Sequence, residues 1–249
     1  MSNRKKILIY GATSAIVHET AKLFANENCD FIITGRDSSK LRTIEADLRA
    51  RGAGKIVSAV HDADYFLHCK DIFLKKAIED LDGLDIVIIG YGTLSKFKSE
   101  ISDSDATLQT LNTNFMSIVV QLTYIANYFE EKRSGIIAVI TSVAGDLGRK
   151  QNYIYASSKA GLSIFLQGLR GRMLRSGVSV VDIRPGYVAT AMTSHLKKNF
   201  LFSSSQEVGE GVYRAIKARK GIVYLPRFWR FIMGILKMLP EKLLHRLNI

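Results

Sequence analysis

Apolar residues recur along this chain in two alternating patterns. Short, nearly unbroken runs read as strands: "KILIY" at 6–10, "DFIITG" at 30–35, "KIVSAV" at 55–60, "LDIVIIG" at 84–90, "GIIAVITS" at 135–142, "VSVVDIRPG" at 178–186 and "GIVYL" at 221–225. Between them, apolar residues fall at helical spacing over 15–27, 39–52, 65–81, 103–133 and 153–175. Successive side chains of a strand point to opposite faces, so a strand that is apolar at nearly every position must be covered on both sides. Strands of this kind alternating with amphipathic helices predict an α/β fold, a doubly wound parallel sheet of Rossmann type with helices on both faces. Such sheets bind ligands at the carboxyl ends of their strands, so the loops there should carry the chemistry.

The chain has 249 residues, 47% of them hydrophobic and 23% charged, which is ordinary for one globular domain and enough for a substantial core. No repeat, low-complexity tract or Gly/Ser/Pro-rich linker divides it. The reading is one domain over 1–225 and a C-terminal extension over 226–249. Cys29 and Cys69 match no metal-ligand spacing and suit reduced thiols in a cytoplasmic setting. "SNRKK" before "ILIYG" mimics the start of a signal peptide, but the Gly, Thr and Ser at 11–14 fit a strand and its turn, so export is not expected. A net charge of +12 admits nucleic acid, an anionic membrane or an anionic substrate. No nucleic-acid recognition motif accompanies the charge, so nucleic acid is not an expected partner.

The most informative string is "YASSK", Tyr155 to Lys159. Residues four apart share a helix face. An ammonium beside a phenol favours the phenolate, so Lys159 is expected to lower the pKa of Tyr155 and let it exchange a proton with a substrate oxygen. Ser142, at the end of a strand, is placed to hydrogen-bond a substrate carbonyl or to serve as a turn or cap residue. "RPGYVAT", Pro185 to Thr190, is another strand-end turn.

A Gly-rich turn after the first strand, an Asn in the long helix, a Ser, a Tyr-x-x-x-Lys and a Pro-Gly turn occur here in that order. In this, residues 5 to 225 resemble the short-chain dehydrogenase/reductase family. The resemblance implies hydride transfer between a nicotinamide cofactor and a carbonyl or secondary alcohol. Tyr155 would be the acid/base, Ser142 would orient the substrate, Lys159 would bind the ribose and tune Tyr155, and Asn114 would hold a water in the proton relay. Asn112 and Tyr153 are close neighbours that the motif spacing passes over. Gly11, Thr13, Ser14, Ala15 and Ile16 would receive the pyrophosphate at a helix N-terminus. Asp62 would contact the adenine, Gly92 would contribute to the cofactor site, and Pro185, Gly186, Val188 and Thr190 would hold the carboxamide.

Two departures from the family pattern stand out. The turn "GATSAIV" keeps Gly11 but has Ala15 and Val17 where glycines are usual, and "IGYG", Ile89 to Gly92, replaces the family's Asn-Asn-Ala-Gly. Val17 asks for room that Gly would not need. At the end of the second strand stands Arg36 after Gly35, with no acid to accept from ribose hydroxyls. A guanidinium suits a 2′-phosphate, so NADP(H) is expected over NAD(H). No metal is expected. The strings "SVAGDLGR", "YIYASSKAGLSIFLQGLR" and Phe228-Trp229-Arg230 resemble a bacterial subgroup similar to reductases of polyprenyl-phosphate-linked keto-pentoses. By family resemblance a homo-oligomer is expected, built on the helices at 103–133 and 155–175. The changed glycines also motivate an alternative, a non-catalytic NADP-binding or scaffold protein of the same fold.

The extension "RFWRFIMGILKML", 227–239, has Arg227, Arg230, Gly234 and Lys237 on one helical stripe and is apolar elsewhere. It is shorter than the roughly 20 residues that span a bilayer. Basic residues beside Phe228 and Trp229 suit a helix lying on the inner face of an anionic membrane. A lid on the substrate pocket or a subunit contact would use the same apolar residues.

Overall fold

The computed structural model describes residues 4–94 and 101–246. Its centre is a seven-stranded sheet in the order β3-β2-β1-β4-β5-β6-β9, with every pairing parallel. The strands are β1 (Lys6–Tyr10), β2 (Asp30–Gly35), β3 (Ile56–Val60), β4 (Ile86–Ile89), β5 (Gly135–Ile140), β6 (Val178–Pro185) and β9 (Ile222–Leu225). The chain first builds outward from β1 to β3, then returns to place β4 on the other side of β1. That reversal opens a crevice at the carboxyl ends of β1 and β4, where Tyr10 pairs with Ile89.

The alternation within β1 shows how the two layers form. Ile7 and Ile9 enter a core with Val17 and Phe24 of α1 (Ala15–Ala25), Leu41 and Leu48 of α2 (Ser38–Ala50), and Val212 and Ile216 of α8 (Ser205–Lys217). Leu8 and Tyr10 enter the opposite core. There they meet Phe66 of α3 (Ala63–His68), Phe73 of α4 (Ile72–Leu81), Leu122 of α6 (Ser117–Lys132) and Leu166 of α7 (Tyr153–Met173). Burial on both faces is the physical reason why the strands are continuous apolar runs.

The helices differ from expectation in two places. The single helix expected over 65–81 is two, α3 and α4. Asp62 caps α3 by accepting from the Tyr65 N–H at 2.8 Å, and Lys70, with φ of 50°, turns the chain through the left-handed region before α4 begins. The helix expected over 103–133 is α5 (Ser104–Leu111), a π-helical turn (Asn112–Met116) and α6. At that turn the Ser117 N–H reaches back to the Asn112 carbonyl. A π turn inside a longer helix frequently marks a functional site, and this one carries Asn114.

The extension folds back onto the strand ends. Helix α9 (Trp229–Met238) buries Trp229 and Met233 against Val143, with Tyr187, Leu201 and Leu236 packed alongside. Trp229, for which the sequence left open a membrane surface, a pocket lid or a subunit contact, faces inward. It is only 5% exposed, because the depression between the turn after β6 and the turn after β5 is large enough to take an indole. A short parallel pair, β7 (Tyr187–Ala189) and β8 (Phe202–Ser204), and a last helix, α10 (Glu241–Arg246), complete the described chain. Among the described residues, no helix is long and apolar enough to cross a membrane.

Candidate active site

A cleft of about 2460 Å³ runs across the carboxyl ends of the strands. Small-molecule sites usually measure about 300–1,000 Å³, so this one has room for a dinucleotide and a second ligand. Fifteen of the sixteen residues singled out from sequence line it; Asn114 alone lies behind the wall.

At one end is the turn between β1 and α1. Gly11 has φ of +83°, and a Cβ there would sit 2.6 Å from the Tyr91 Cβ, so only Gly fits. Ser14 precedes α1 without using its side chain to cap it, which leaves its hydroxyl and the first helical N–H groups to face an anion. The room that Val17 needs is present. Its Cγ2 occupies the space where a Cβ on Gly90 would lie, only 2.1 Å away. The two departures from the family pattern thus fit each other: the bulk of Val17 on α1 faces the missing side chain of Gly90 at the end of β4. This fit is the structural argument that a dinucleotide is accommodated. Gly35, another close approach, leaves room for the Thr13 methyl at the end of β2, and the exposed Arg36 beyond it lines the cleft with Lys40. The Asp62 carboxylate also lines the cleft, but one of its oxygens caps α3.

In the middle are the residues expected from sequence to take part in proton transfer. Tyr155 lies in the first turn of α7 and faces the cleft, whereas Tyr153 is 46% exposed on the outer surface. Ser142 follows β5, where its hydroxyl accepts from the Ala144 N–H at 3.0 Å. Lys159 is buried. Its Nζ donates to the Ile140 carbonyl at 3.2 Å and lies 5.8 Å from the centre of the Tyr155 ring. Asn114 is fully buried in the π turn. Its Oδ1 accepts from the Thr93 N–H at 2.7 Å and its Nδ2 donates to the Thr93 carbonyl at 2.8 Å, so the amide clamps the segment that follows β4 beside the cleft. Gly92 permits this. A Cβ there would stand 2.9 Å from Asn114 Oδ1 and 3.5 Å from Lys159 Nζ.

The electrostatics correct one expectation. Burial raises the pKa of Tyr155 above the ordinary phenol value, with the Ser142 hydrogen bond opposing. Burial also lowers Lys159 to about 8, with Asp182 opposing. Desolvation disfavours both charged forms and outweighs the lowering of the phenol by the ammonium that spacing alone suggests.

Sequence reasoning missed the polar network behind this pair. Asp182, fully buried in β6, accepts from Thr141 Oγ1 at 2.6 Å. It also accepts from Arg184 Nε at 2.9 Å and Nη2 at 2.7 Å. Arg184 then donates to Asp146 at 2.6 Å and to the Tyr224 hydroxyl at 3.1 Å. A signal was present. Two charged residues at i and i+2 share one face of a strand that is otherwise apolar but for Ser179, and buried charges occur only when paired. At the far end of the cleft, the indole edge of Trp229 covers Gly186: a Cβ there would lie 1.9 Å from the indole nitrogen. The extension thus packs directly on the Pro185-Gly186 turn.

Comparison with known proteins agrees with this geometry. The family model for short chain dehydrogenases matches residues 5–200. An uncharacterized oxidoreductase of Mycobacterium tuberculosis is 27% identical over 241 residues, spanning 97% of this chain and 96% of its own. Another from Staphylococcus epidermidis is 30% identical over 193 residues, 76% of this chain and 80% of that one. Among solved structures, levodione reductase superposes with a TM-score of 0.80 at 17% identity, covering 90% of this chain and 96% of its own, a likeness of fold.

Proposed function

The chain belongs to the short-chain dehydrogenase/reductase family, and on that premise we propose that it is an NADPH-dependent reductase of a carbonyl on an amphiphilic substrate. That it is an oxidoreductase using NAD(P)(H) follows from the family. The observation that carries the finer reading is the cleft, which brings Arg36 at one end and Ser142, Tyr155 and an apolar wall from α9 at the other into one space.

Gly11, Ser14 and the start of α1 would hold the pyrophosphate, and the Pro185-Gly186 turn the carboxamide. When bound, the nicotinamide supplies or receives the hydride. The Ser142 hydroxyl would donate to the substrate carbonyl and fix its direction. Tyr155 would deliver its phenolic proton to the developing alkoxide; a phenol kept neutral by burial starts in the protonated form that a reductase needs. Lys159 would anchor the ribose and, when charged, stabilise the phenolate left behind. Asn114 would keep the wall beside Gly92 in place and support a water in the relay that returns the proton.

Arg36 supports NADP(H) because its guanidinium has the charge and shape for a 2′-phosphate. The substrate class suggested by the sequence resemblance, a lipid-linked keto-sugar, suits a site with hydroxyl donors at its centre and Ile232, Met233 and Leu236 on one wall. The reading places the enzyme in the cytoplasm as a homo-oligomer.

Two measurements test it. Tyr155→Phe removes only the transferable proton, so it should lower turnover on a carbonyl panel roughly 100- to 10,000-fold while NADPH affinity stays. Activity close to that of the unmodified protein would defeat the assignment, and a complete lack of turnover in the unmodified protein would favour the scaffold alternative. NADPH should bind more tightly than NADH, and Arg36→Ala should erode that preference by weakening NADPH selectively. Equal affinities before the substitution would remove the basis for NADP(H).

A further inference from the structure

Helix α9 has two apolar faces, and among the described residues only one is covered. Its inner residues Trp229, Ile232, Met233 and Leu236 line the cleft. On the outer face, Phe231 is 73%, Ile235 63% and Met238 85% exposed. Such residues seldom lie together on the surface of a soluble protein without an apolar partner. Apolar side chains are exposed at the cleft mouth as well. Leu201 packs against the Trp229 cluster, and next to it Phe200 is 89% exposed. Met192 and Leu196, at the cleft's edge, are also exposed.

The charge around this rim is predominantly positive, with Glu241 the acid beside it. Lys197, Lys198, Arg227, Arg230, Lys237 and Lys242 are all exposed. No Asp or Glu occurs from 183 to 206 or from 211 to 240. Of these cations, Lys237 leans toward Asp146 at 3.8 Å. Exposed aromatic and aliphatic side chains framed by lysine and arginine match a bilayer with anionic headgroups, in which the apolar tips enter the acyl boundary and the cations stay at the phosphates. A second copy of this chain would bring the same positive rim against itself, so like charges disfavour that occupant.

We propose that the cleft mouth is a membrane-docking surface, with the outer face of α9 and the 192–200 segment seated in an anionic lipid surface. The inner face of the same helix lines the substrate cleft, so an amphiphile could pass from bilayer to site along α9 without crossing water. This deepens the functional reading above and rests on it for the identity of the cleft, but docking itself is measured without turnover.

The test is flotation of the full-length protein with vesicles of phosphatidylcholine alone or of equimolar phosphatidylcholine and phosphatidylglycerol, with free NADPH affinity measured in parallel. Binding should favour the anionic vesicles and fall as salt rises, because screening shortens the reach of the cations to about 8–10 Å or less. Phe231→Ser, Ile235→Ser and Met238→Ser together should reduce binding roughly tenfold or more, since each side chain loses its burial in lipid. These positions are exposed and outside the catalytic machinery, so NADPH affinity should not change. Arg227→Gln with Arg230→Gln should remove most of the preference for anionic over neutral vesicles. No binding, equal binding to both vesicle types, or undiminished binding by the triple variant would overturn the proposal. So would a triple variant whose oligomer mass drops while vesicle binding is absent throughout, because a second copy would then be the occupant. If vesicles bind as expected but NADPH does not, the functional reading fails and the docking surface stands.

Discussion

At the scale of single residues, the pair Tyr155 and Lys159 is set by burial more than by mutual attraction. Burial lowers Lys159 to about 8, so its charge is lost progressively as pH rises through that value. If its charge stabilises the phenolate formed in reduction, the rate should fall as pH rises through about 8. Asp182 raises the Lys159 pKa, so removing its charge should move that alkaline limb to lower pH. Asp182→Asn keeps the shape of the strand and tests this through a pH profile of kcat. A profile unchanged in position would show that the buried network of Asp182, Arg184 and Asp146 serves the fold alone. Arg184 loses an ionic partner in that variant, so a thermal melt should accompany the profile and should show a lower Tm.

At the scale of elements, function depends on how closely α1 approaches the sheet. Val17 presses into the space beside Gly90, and neither residue is informative by itself. Gly90→Ala should clash with Val17 and cost about 1–3 kcal/mol of stability, the range for overpacking a filled site, and should weaken NADPH binding by displacing the start of α1. Val17→Ala should recover most of both losses in the double variant. Denaturant melts and cofactor titrations of the four proteins form a double-mutant cycle. An additive result would mean that the two positions are not a compensating pair.

At the scale of the whole molecule, two surfaces lie far from each other in composition. The rim of the cleft is basic and apolar. The outer side of α6 and α7 is mixed: Ile164 is 68% exposed beside a shallow depression lined by Leu122, Ala126, Phe165, Gly168 and Leu169, with Thr123 and Arg172 also in its lining. This second face is where the family resemblance places subunit contact, and small residues there would let helices of two copies pack closely. Sedimentation should show a homo-oligomer, and Ile164→Asp, which puts a charge into that contact, should shift the population toward monomer. A species of unchanged mass would exclude this face as the interface.

The apolar pattern was sufficient for the fold class, because a strand covered on both sides must be apolar throughout and an amphipathic helix must repeat near 3.6 residues. The motif order picked out Ser142, Tyr155 and Lys159, and the structure brings the three to one cleft although the serine and the tyrosine lie on different elements; their roles rest on the Tyr155→Phe measurement. Three matters were decided only by tertiary contact. Whether Val17 was tolerable depended on Gly90, seventy-three positions later in the chain (90 − 17) and adjacent only through the pairing of β1 with β4. The direction of the Tyr155 and Lys159 shifts depended on desolvation, a property of everything packed around them that spacing along one helix does not contain. The tail was legible as aromatic and basic, but composition does not say which apolar face meets protein. That depended on the hollow over Gly186 and Val143, which takes Trp229 inward and leaves Phe231, Ile235 and Met238 on the outside.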